Sequence, residues 1–161
     1  MGTILAVSQN VFRGVLRSKI FVSLLLFAIG LILLSKLLEF LTFTAQIKLI
    51  MDVGLASISF FTALISIFLA SGSICREIEQ KTIYTVLTKP VSRLGFILGN
   101  FLGMIWVILV TLAITGLTLF MLLYFKGYIM GQTSWVALFF IFLEAALITS
   151  IALMFSSLSS S

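Results

Sequence analysis

Residues 94–125 read LGFILGNFLGMIWVILVTLAITGLTLFMLLYF, a run without one charged side chain. About 20 apolar residues carry a helix across a bilayer, so this stretch spans a membrane with turns to spare, by tilting or by protruding. Three further apolar runs lie around it, at residues 20–41, 53–75 and 135–155. Lys36 and Glu39 stand near the far end of the first, where long side chains reach the interface. Trp135 opens the last in the position of an interfacial anchor.

The whole composition agrees with these runs. Of 161 residues, 61% are hydrophobic and 9% charged, with a mean hydropathy of +1.31; soluble domains carry roughly 25% charged residues. The chain is therefore expected to be an all-α, polytopic helical membrane protein, a single transmembrane domain over residues 1–161 with four spans. A single cysteine, Cys75, excludes an internal disulfide. The lack of histidine leaves metal chemistry poorly supplied, so no catalytic, cofactor or metal-binding residue is expected. The net charge of +5 calls for no nucleic acid.

In a membrane protein an excess of basic residues reports orientation. Arg13, Arg17 and Lys19 precede the first span, and Arg76, Lys81, Lys89 and Arg93 lie between the second and third. That is 3 + 4 = 7 of the ten Lys and Arg on one side, against Lys36, Lys48 and Lys126 on the other. The positive-inside rule then makes the N-terminus and the 76–93 loop cytoplasmic. Residues 4–18 are too interrupted for a secretory signal. Instead Ile4, Val7, Val11, Phe12 and Val15 recur at helical spacing, with Gln9, Asn10, Arg13 and Arg17 towards the other side. That pattern suits an amphipathic helix on the cytoplasmic leaflet, its arginines among anionic lipid headgroups. The plainer reading is an extension of the first span.

Two patterns of small residues suggest how the spans pack. Ala56, Ser59, Ala63, Ser66, Ala70 and Ser73 alternate steps of three and four, a seam that lets a neighbouring helix come close and offers it hydroxyls. Gly95, Gly99 and Gly103 fall four apart on one face of the third span. Either seam can serve contacts within the chain or between subunits.

Glu144 is the acidic residue well inside a span, nine positions past Trp135 or about 13 Å along a helix. An ionised carboxylate at that depth is costly, so it must face protein or a wet cavity, or be protonated. Two readings stand: a polar element of a transport route or cation site, or a protonated carboxyl bonded to a neighbouring hydroxyl, for which the serine seam is one source.

The segment 76–93 holds six of the fifteen charges: Arg76, Glu77, Glu79, Lys81, Lys89 and Arg93. Glu77 and Lys81 have the favourable Glu-then-Lys spacing of four, as if the second helix continued past the membrane surface. Ile83, Val86 and Leu87 fall on one face of a short helix, which Pro90 ends near Lys89 while starting the next.

At these residues the chain resembles a known family. Arg76 to Ile83 (REIEQKTI), then Leu87 to Arg93 (LTKPVSR), then Gly95 to Gly103 (GFILGNFLG) look like the membrane subunit of type-2 ABC transporters. The flavour is that of prokaryotic permeases such as the nitrous-oxide-reductase maturation permease. The resemblance covers roughly residues 4–155, and the loop pattern is its specific part. It implies a multi-pass protein of a prokaryotic cell membrane, with six spans. Its partners would be membrane lipids, a second permease as homo- or heterodimer, and two cytoplasmic ATPase subunits. It further implies that the loop contacts the ATPase, making Glu77, Glu79, Lys81, Thr82, Ile83, Val86 and Leu87 the coupling element. The ending Ser156 to Ser161 resembles the loop entering a fifth span, so a piece of a longer permease is expected; a natural four-span protein is the alternative.

No phosphate-loop sequence occurs in the chain, so ATP hydrolysis is expected on a separate polypeptide. The function implied is a permease subunit, an exporter by the habit of the family. The alternative is a non-transporting membrane scaffold or regulatory subunit derived from a permease.

Overall fold

A computed structural model of the chain describes residues 2–38, 46–79, 93–127 and 131–159. Those residues form five helices, α1 (Gly2–Leu16), α2 (Lys19–Leu38), α3 (Gln46–Glu79), α4 (Arg93–Tyr124) and α5 (Gln132–Ser159). α3, α4 and α5 are each long and apolar enough to cross a membrane, and α1 with α2 form a pair bent by 63° that passes the same test only when taken together. The chain is an all-α helical membrane protein. The short helix expected around Ile83 to Leu87 lies outside the described residues.

The helix bounds follow local chemistry. Ser18 stands at the N-cap position of α2, between two turn bonds: its amide donates to the Val15 carbonyl (2.8 Å) and its carbonyl accepts from the Val22 amide (3.2 Å). α4 ends where Lys126 and Gly127 donate to the carbonyls of Leu123 (3.0 Å) and Tyr124 (2.9 Å). Gly127 takes a φ of 71°, the left-handed geometry that lets a chain leave a helix without a Cβ clash. α3 starts at Gln46, two turns before the expected 53. Lys48 and Asp52 in those turns are exposed; charges at the end of a span meet water and do not stop the helix.

The spans pack as an alternating bundle. Ile58 of α3 clusters with Ile141 and Ala145 of α5, and further along Ala70 meets Leu153. Both numbers rise together, so α3 and α5 run parallel, as the second and fourth of alternating spans must. α2 packs against α3: Phe21 shares a buried cluster with Ile65, and Ile32 shares another with Ile50 and Ile58. The Phe27 and Phe61 rings lie 6.3 Å apart across that contact.

α4 is the central element, packed against each of the other four helices. Ile108, Leu112, Leu119 and Leu123 form its contribution to the largest cluster. Val15 and Phe21, on either side of the α1–α2 bend, share a cluster with Val107. Arg93 is 14 residues before Val107, so α4 begins about 21 Å beyond the bend. α1 packs against this first part of α4, on Gly103.

Candidate functional site

The polar segment begins inside a helix. α3 is helical through Arg76 and Glu77 to Glu79, so the second span runs on into this stretch. Lys81, Thr82, Ile83, Val86 and Leu87 lie outside the described residues, as do Lys89 and Pro90. The chain resumes as helix at Arg93.

α1 seats on Gly103, one member of the glycine seam. Gly99 and Gly103 are buried and Gly95 half-buried. A Cβ on Gly103 would stand 2.9 Å from the backbone carbonyl oxygen of Ser8 and 2.9 Å from the Cβ of Val11. The first neighbour is backbone and cannot swing aside. α1 thus lies on α4 at a distance that only glycine permits. Ser8 and Val15 of α1 are buried, Val11 half-buried, and Gln9, Asn10 and Arg13 exposed. The amphipathic pattern of α1 is satisfied by a protein neighbour on its apolar side. Sequence reasoning missed this contact, although both halves of it were visible: a glycine row on one helix and an apolar row on another.

The serine seam divides its hydroxyls. Ser66 is buried and its hydroxyl donates to the Thr62 carbonyl one turn back, 2.8 Å away, so it offers α5 nothing. Ala70 is fully buried, Ala63 half-buried and Ala56 exposed, while Ser73 lies in a turn whose side chains are outside the described set. Thr62, 1% exposed, has no hydrogen-bond partner for its own hydroxyl among the described residues.

Ser59 is the member of the seam that reaches across. Its hydroxyl donates to the Glu144 carboxyl at 2.9 Å, joining α3 to α5. Both residues are central: Ser59 lies 12 residues into the apolar stretch Ile47–Ala70, and Glu144 lies 12 residues into Gln132–Phe155. At ~1.5 Å per residue each is about 18 Å from its end, the depth of a bilayer midplane. Glu144 is nevertheless an exposed residue of the bundle. Phe140, one turn before it, is 63% exposed, and Phe60, next to Ser59, is 61% exposed. Among the described residues no group of three or more metal-ligating side chains occurs.

Between α4 and α5 lies an apolar groove of about 280 Å³, lined by Leu112, Gly116, Leu117, Phe120, Trp135 and Leu138. Its lining is aliphatic and aromatic.

Three to four membrane-crossing segments with close glycine-mediated packing describe a multi-pass helical membrane protein. Residues 5–161 match the ABC-2 family transporter protein family, and the chain belongs to that family. Membership supports a permease-type transport subunit of an ABC system in general. The match is to the family as a whole; the narrower likeness to the nitrous-oxide-reductase maturation permease forms no part of it. No curated protein and no solved structure matches the chain.

Proposed function

We propose that this chain is the membrane-spanning subunit of an ATP-driven exporter in a prokaryotic cell membrane. It works with a second permease, identical or not, and with two cytoplasmic ATPase subunits that hydrolyse the ATP. The observation that carries this reading is the family match, which extends over residues 5–161 and so takes in both the spans and the polar segment. The bias of seven of ten basic residues supports an orientation with the N-terminus and residues 76–93 in the cytoplasm. In that orientation α1 lies at the cytoplasmic leaflet.

The coupling element is the stretch holding Glu77, Glu79, Lys81, Thr82, Ile83, Val86 and Leu87. Its mechanical logic rests on what stands either side of it. The end of α3 leads in and α4 leads out, and α4 packs against all the other helices. A push on the segment is therefore delivered to the one helix that moves the rest. α1, seated on Gly103, braces the first half of α4.

Replacing Val86→Asp together with Leu87→Asp removes the apolar face of the segment without touching a span. ATPase binding and stimulation should fall at least tenfold while the chain inserts into membranes as before. Undiminished ATPase binding and transport by this double variant would contradict the coupling role.

A further inference from the structure

Glu144 places a carboxyl at a depth where its ionised form is costly without a counter-charge. Its carboxyl sits at mid-span on the outside of the bundle, with the Ser59 hydroxyl as the hydrogen bond joining it to α3. Residues 20–35, 49–75, 94–125 and 127–161 contain no Lys or Arg. Among the described residues no Lys or Arg lies at that depth. A charge in a medium of low dielectric constant attracts a counter-charge far more strongly than in water.

The surroundings select what kind of cation fits. An inorganic ion needs several oxygen ligands to replace its hydration shell, and the described residues offer one carboxyl and one hydroxyl here. The approach is sideways from the lipid, past Phe140 one turn before Glu144 and Phe60 beside Ser59, both exposed. Aromatic faces attract cations and shelter apolar bodies. We infer that Glu144, held by Ser59 and flanked by Phe140, is a membrane-facing binding site for lipophilic organic cations. The carboxylate supplies the charge, Ser59 fixes the carboxyl in place as a positioning residue, and the rings receive the apolar body. The inference rests on the permease reading only in making such a cation cargo; binding itself is a property of the chain alone.

Binding of tetraphenylphosphonium to the purified full chain in detergent, against empty micelles, tests the site without any ATPase present. Tetraphenylborate, the same shape with opposite charge, is the control. The cation should bind saturably and the borate should not. Glu144→Gln, which keeps an acceptor for Ser59, should weaken cation binding at least tenfold, Phe140→Leu about threefold and Ser59→Ala two- to fivefold. Circular dichroism and elution volume, unchanged in each variant, exclude misfolding as the cause. Equal saturable binding of cation and borate, or wild-type cation binding by a folded Glu144→Gln chain, would overturn the inference, while leaving ATPase association as a separate test of the permease reading.

Discussion

α4 and α5 are long helices of equal mean hydropathy in their apolar stretches, yet they hold opposite places in the bundle. Of an 18-residue apolar window in α4, 39% is buried inside the protein, against 22% for the corresponding window in α5. α4 meets every other helix, whereas α5 packs mainly on α3 and α4. Hydropathy states that a helix tolerates lipid and says nothing about which helices become its neighbours. That choice lies with small residues and with the fate of polar groups. α4 carries Gly103 against α1 and turns the buried hydroxyls of Thr111 and Thr115 back to its own carbonyls at 2.9 and 2.8 Å. Both devices make it an easy partner. α5 leaves a carboxyl uncovered at its centre.

The sharpest way to break this contrast is Glu144→Leu. If α5 faces lipid there, replacing the acid should favour membrane insertion of the α5 segment by about 3 kcal/mol, read from the inserted fraction in a glycosylation-mapped insertion assay. An unchanged fraction would mean that the carboxyl is already accommodated. The counterpart on α4 is Gly103→Leu, which drives bulk into the Ser8 backbone. It should destabilise the folded bundle by about 1–3 kcal/mol in detergent unfolding and release α1 from α4. Gly116→Ala sharpens the point with the opposite sign. The nearest atom to a Cβ there is the Leu138 Cδ1 at 3.5 Å, an ordinary contact, so the gain in helix propensity, up to about 1 kcal/mol, should show as a raised melting temperature. Smallest is Ser59→Ala, which removes one interhelical hydrogen bond and should cost about 0.6 kcal/mol in the same unfolding measurement.

Much of this architecture is legible in the sequence, for reasons that differ from element to element. The 94–125 run declares a span because a charge-free helix of that length has no other stable setting. α5 declares itself the same way, and its centre locates Glu144. The start of α3 is less legible, since Lys48 and Asp52 read as loop residues although both ride on the helix end. The partner of the glycine row is not legible at all. Gly95, Gly99 and Gly103 announce a close approach without an address, and the α1–α2 bend that brings Ser8 and Val11 to Gly103 is a tertiary event. The hydroxyls behave similarly: Ser59 and Ser66 occupy one seam, but Ser66 is captured by its own helix and Ser59 by Glu144. The spacing is shared; the donor's choice depends on what stands within about 3 Å.

Association with an ATPase bears most directly on the central claim. The chain, purified from its native membrane in mild detergent, should bring down a phosphate-loop ATPase and raise its hydrolysis rate severalfold over the ATPase alone. Purification without such a partner, or with one whose hydrolysis the chain leaves unchanged, would contradict the permease account.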